Sequence, residues 1–147
     1  MLSTDLTSLP WSSEISVGHP ALDGLNKDVF DLLAVIESTV HRDDAESIVG
    51  QFSQLFSTLS HALDVEEKLL GACDYPELEC HITIHDQVRS YVHAWKRSLG
   101  AGHNHAHLIR TARRIHAEVT SWLIQHIQGV DALYRPYMVT HSPLTAI

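Results

Sequence analysis

Residues 78–99 read LECHITIHDQVRSYVHAWKRSL, and their spacing decides the fold. Leu78, Val88, Val92, Trp95 and Leu99 recur at the period of one helix face, with an inward series that runs 78, 81, 85, 88, 92, 95, 99. His81 and His85 therefore stand on the apolar face, one turn apart, where both imidazoles can reach the same point.

Three further stripes of the same period accompany it. Leu22, Val29, Leu33, Ile36 and Val40 predict a helix over about 20–41. Val49, Phe52, Leu55, Leu59, Ala62 and Leu69 predict one over about 44–72; the HITIH helix covers about 77–99. Leu108, Ala112, Ile115, Val119, Trp122 and Ile127 predict the last, over about 105–128. The breaks HRDDAES, GACDYPE and GAGHN are short and polar, with Gly71 and Pro76 as helix punctuation. Short connections imply antiparallel neighbours. The expected fold is all-α, an up-down-up-down antiparallel four-helix bundle with an irregular N-terminal arm (1–18) and a short C-terminal segment (129–147), all one domain.

Bulk properties exclude several classes. With 44% hydrophobic and 19% charged residues the chain reads as globular, and a net charge of −8 argues against nucleic acid. Its one basic cluster, Arg110, Arg113 and Arg114, reads as a solvated helix face. No apolar run is long enough for a membrane span, and MLSTDLTSLPWSSEI lacks the basic start and apolar core of a secretory signal, so a cytoplasmic protein is expected. Cys73 and Cys80 are expected as two thiols.

The informative residues are polar ones in apolar registers. Besides His81 and His85, the series 112, 115, 119, 122, 126 turns His126 inward; 55, 59, 62, 66, 69 turns Glu66 inward; 22, 26, 29, 33 turns Asn26 inward. A buried carboxylate costs several kcal/mol unless it is paired or bound to a metal. Three imidazoles beside it favour the metal, because nitrogen with carboxylate oxygen suits iron, zinc, manganese or copper. Asp131, five residues after His126, joins this set if Gly129 opens the helix end or a π-type turn realigns the two. A lone inward histidine is more often hydrogen-bonded core, but Glu66, His81, His85, His126 and Asp131 together point to a metal site. His19, His41, His93, His116 and His141 share no register, and GHNHAH at 102–107 reads as a solvated loop at a helix start.

WSSEISVG (11–18), LDGLNK (22–27), VEEKLL (65–70), YPELECHITIH (75–85) and WLIQHIQGVD (122–131) resemble, in order and spacing, the blocks of the bacterial hemerythrins. That resemblance covers most of the chain. It implies a non-haem iron centre in a four-helix bundle that binds O2, with His81, His85 and His126 on one iron and Glu66 and Asp131 as the bridging carboxylates. In the family, two further histidines hold the second iron. The matching positions here are Asn26 and Ala62, so that half of the centre lacks its nitrogen ligands. His61 could replace one of them through a π-bulge before Glu66, but its register would also turn Thr58, Ser57 and Gln54 inward. Asn26 and His61 stand as accessory candidates.

The expected function is thus an altered, mononuclear iron centre that binds or senses O2, nitric oxide or peroxide. The alternatives are a di-iron oxygen carrier, and an interaction module whose metal only stabilises the bundle or is absent. A binding protein is expected rather than an enzyme, since no acid–base pair stands apart from the candidate ligands. No protein partner is indicated.

Overall fold

The computed structural model describes residues 15–102 and 104–140; most of the expected N-terminal arm, with Trp11, and also His103 and His141 lie outside them. The architecture is an all-α four-helix bundle: α1 (Pro20–His41), α2 (Ile48–Ala72), α3 (Leu78–Leu99) and α4 (His105–Gln125), then a short α5 (Arg135–Thr140). Helix α1 packs on α2 and α4, and α3 on α2 and α4, so consecutive helices lie side by side and α4 closes the bundle onto α1. No described helix is long and apolar enough to cross a membrane.

Each helix begins and ends for local reasons. Pro20, whose fixed φ suits a first helical turn, opens α1, and the His19 ring Nδ1 accepts the Ala21 N–H at 3.2 Å as its cap. Asp43 follows α1 with φ 59°, a left-handed conformation that aspartate tolerates better than most residues, and the chain makes a 3₁₀ turn over Ala45–Ser47 before α2. Helix α2 therefore starts at Ile48 rather than near 44. The reversal after α2 is made by Asp74, at φ 53°, while Gly71 stays inside the helix. Asn104 caps α4 by accepting the His107 N–H at 2.8 Å.

The apolar stripes meet in one core in which Leu22, Ile36, Phe52, Leu55, Leu69 and Ile115 are fully enclosed. Burying each such side chain contributes roughly 1.5–3 kcal/mol. At three stripe positions the core takes a neighbour instead: Val49 is 48% exposed and Ile48 is buried, and Ile109 and Leu123 go deeper than Leu108 and Trp122. Wide stripes leave such one-residue ambiguity until the neighbouring helix chooses. His116 is a core histidine, its Nε2–H donating to the Leu33 carbonyl at 2.8 Å and tying α4 to α1. Among the described residues Cys73, buried, and Cys80, exposed, form no disulfide.

Candidate metal centre

Regular helical spacing sets the His81 and His85 rings 4.5 Å apart, centroid to centroid, on the inner face of α3. Helix α2 brings Glu66 across from them. Its Oε1 lies 2.6 Å from His81 Nε2, 2.7 Å from His85 Nε2 and 3.6 Å from His126 Nε2. At the end of α4 the backbone widens into a π-helical turn over His126–Val130, followed by a 3₁₀ turn at Asp131–Leu133. The wider turn carries Asp131 back to the face of His126, with Oδ1 2.9 Å from His126 Nε2 and 3.3 Å from His81 Nε2. An unbroken α-helix leaves residues five apart on different faces.

Three imidazole nitrogens and two carboxylate oxygens thus face one another, on residues no more than 4% exposed. Glu66, His81, His85 and His126 can hold a metal ion, each offering one atom within 4.8 Å of the others, and Asp131 stands beside them. Asp131 Oδ1 is buried against both His126 and His81, and His85 Nε2 faces His126 Nε2 at 3.1 Å. Donor atoms that crowd together in this way fit a cation, and nitrogen with carboxylate oxygen fits the iron or zinc class.

Without a cation, protons do the binding. Burial opposes charge on His81 and His126, but hydrogen bonds and attraction to Asp131 and Glu66 prevail and raise both imidazoles from 6.5 to about 9. Burial also disfavours charge on Glu66, yet hydrogen bonds from His126, His81 and His85 hold it well below its ordinary value. Asp131 moves up, first from burial and then from repulsion by Glu66. Two carboxylates sharing one cluster are driven apart in this way.

A second layer positions these groups. Tyr134, fully buried, donates its hydroxyl to Glu66 Oε2 at 2.6 Å. Burial and the Glu66 charge push the phenol well above its ordinary value, so it remains a donor. Glu67 Oε2 lies 2.6 Å from His85 Nδ1 and is held in turn by Arg89 at 2.8 Å. With its Nδ1 proton donated to Glu67, a neutral His85 would present the Nε2 lone pair inward once a metal replaced the proton shared with Glu66, the tautomer a metal ligand needs. Trp122 stacks on His126 at 4.4 Å and 13°. Glu67→Gln, which removes the charge and keeps the size, is expected to weaken metal binding by about 10–100-fold in a competition titration with a chelator. Unchanged affinity would remove Glu67 from this role.

The accessory candidates separate. Asn26 is 5% exposed and faces inward; Ala62 is 3% exposed. His61 is exposed and opens onto a surface groove between α2 and α3, with Ser57, Asp64, Arg89 and His93. Helix α2 is regular through His61 and Glu66, so no bulge turns His61 inward. Glu67 and Tyr134 escaped the sequence reading because neither lies on an apolar stripe. Adjacency to Glu66 was the only signal for the first, and Tyr134 sits beyond the last predicted helix.

A four-helix bundle with a buried histidine–carboxylate cluster spread over α2, α3 and the end of α4 defines a class of metal-binding proteins. The family model for the hemerythrin HHE cation binding domain matches residues 17–138, and the chain belongs to that family. It is 22% identical over 135 residues to a bacteriohemerythrin of Ralstonia nicotianae (strain ATCC BAA-1114 / GMI1000), covering 92% of each chain. It is also 22% identical over 136 residues to a bacteriohemerythrin of Stenotrophomonas maltophilia (strain R551-3), covering 90% of this chain and 83% of the relative.

Proposed function

We propose that this protein is a non-haem iron-binding hemerythrin relative with a mononuclear centre that takes up O2 or a related small ligand, nitric oxide or peroxide. His81, His85 and His126 hold the ion, with Glu66 and Asp131 as carboxylate ligands. The observation that carries this reading is an asymmetry. One side of the buried cluster is crowded with imidazoles, whereas the inward positions on α1 and α2 that hold histidines in the hemerythrin pattern carry the amide of Asn26 and the methyl of Ala62. His61, the nearest substitute in sequence, is exposed on the outside of the bundle.

Ferrous iron supplies an electron-rich site able to bind diatomic ligands. The chain's own residues do the rest. They orient the imidazoles through Glu67, keep Glu66 ionised and aligned through Tyr134, and exclude bulk water, since each candidate ligand is buried. A carboxylate with no second ion to bridge is free to shift and vacate a coordination position.

The test is an iron count on protein expressed with iron and purified without oxygen, followed by addition of nitric oxide. One iron per chain and a ferrous nitrosyl spectrum are expected. Two irons per chain with a peroxide charge-transfer band in air would replace this reading by a di-iron oxygen carrier. Metal that alters thermal stability but binds no ligand would leave only a stabilising role.

A further inference from the structure

Helices α3 and α4 share a second feature beside the cluster. A groove of about 520 Å³ opens to the surface between them, walled by the rings of Tyr91 and Trp95 from α3 and of Trp122 from α4, with Glu118 and Gln125 beside them. That volume is in the range of sites that hold small molecules. Trp122 is half-buried and has one face stacked on His126 at 4.4 Å, so it belongs both to the groove and to the packing around the metal centre. Tyr91 is 42% exposed and stands beside Trp95, ring centres 6.0 Å apart and tilted by 43°.

Charge indicates the occupant. The Trp95 indole N–H donates to Glu118 Oε1 at 2.8 Å, which fixes a carboxylate against the aromatic wall. Among the described residues Glu118 is the only charged one lining the groove. Arg114, which does not line it, reaches Glu118 Oε2 at 3.2 Å, an exposed pair weak enough for a second cation to compete with. Aromatic faces attract cations, and their apolar surface also receives alkyl groups. Anions are disfavoured by Glu118 and by the net charge of −8, and a neutral apolar molecule would leave the carboxylate unanswered. An alkylated ammonium satisfies the rings and the carboxylate together.

We propose that the α3–α4 groove is a binding site for a small soluble organic cation of the quaternary or alkylated ammonium class, its alkyl groups against Tyr91, Trp95 and Trp122 and its charge facing Glu118. The site is separate from the metal centre and shares only Trp122 with its surroundings. It needs no metal, so it stands or falls independently of the iron reading above.

Choline and its uncharged isostere 3,3-dimethyl-1-butanol separate charge from shape. Each is titrated into the full-length protein, metal-free and metal-loaded, by calorimetry, with indole emission followed in parallel because two of the three tryptophans line the groove. Saturable choline binding that changes the indole emission is expected in both forms, with the isostere about ten-fold weaker. Tyr91→Leu, at an exposed position, is expected to lower choline affinity about 2–5-fold. Glu118→Gln, which keeps an oxygen to accept the Trp95 N–H, is expected to lower it by a similar factor and to leave the isostere unaffected. Melting temperatures of both variants are compared with wild type, and a variant that does not fold leaves the other, with the isostere comparison, to decide. Absence of choline binding would overturn the proposal. So would equal affinity for choline and the isostere, which would mean an apolar groove without charge selection, or choline binding that neither variant weakens, which would place the cation elsewhere.

Discussion

Replacing Glu66 by Ala is expected to abolish stoichiometric metal uptake and to cost the metal-free protein about 3–5 kcal/mol at neutral pH. Glu66 is 3% exposed, and its Oε1 serves His81 and His85 while its Oε2 accepts the Tyr134 hydroxyl. Without it, the raised basicity of His81 and His126 would rest on Asp131 alone, and the buried phenol would have no acceptor. Leaving a buried charge uncompensated is what makes the removal of one partner so costly. Metal content by elemental analysis and stability by urea unfolding check the two halves separately. His81→Ala or His85→Ala should also lose the metal, whereas His93→Ala, at an exposed position outside the cluster, should retain it. A Glu66→Ala protein that holds a full complement of metal would mean the ion sits elsewhere.

The second large effect is a pair of opposite pH responses. In the metal-free protein His81 and His126 titrate near 9 rather than 6.5. A histidine raised on folding contributes stability that is fully present below 6.5 and is lost as pH rises through about 9. One pKa unit corresponds to about 1.4 kcal/mol, so the metal-free protein should lose a few kcal/mol between about pH 6.5 and 9.5. Glu66, held below its ordinary value, adds stability above the normal carboxylate range that is lost as pH falls through its folded value; Asp131, shifted upward, works in the other direction. A metal ion competes with protons for the imidazoles, so the loaded protein should bind its metal more firmly as pH rises and release it in mild acid. Thermal melts of both forms across this range would show the stabilisation by metal growing with pH. A metal-free melting temperature that stays flat from 6.5 to 9.5 would mean that these histidines are not held protonated in the fold.

Much of the site was written in helical periodicity. His81, His85, His126 and Glu66 are all in register with aliphatic residues on amphipathic helices, and a histidine that shares a face with Val88 or Val119 must go where they go. Asp131 was legible as a candidate only on the condition that Gly129 opens the helix end or a π-type turn realigns it with His126. Its spacing from His126 is wrong for an α-helix, and the π-helical turn that corrects it forms where the helix end packs in the bundle. Glu67 carried no signal beyond its adjacency to Glu66, because it lies beside the stripe, and its role arises from a neighbouring helix that brings His85 Nδ1 and Arg89 to its carboxylate.

The sequence by itself determined four amphipathic helices, the short connections that make neighbouring helices antiparallel, and the absence of histidine at positions 26 and 62. These follow from local chemistry: side-chain period, turn residues and residue identity. The tertiary structure decided which side chains meet. It turned His61 outward, brought Tyr134 from beyond the fourth helix onto Glu66, and left the Asn26 amide without a protein partner. Those outcomes depend on how helices are rotated and where backbone geometry departs from the ideal helix, which packing across the bundle settles and no single stretch of chain contains.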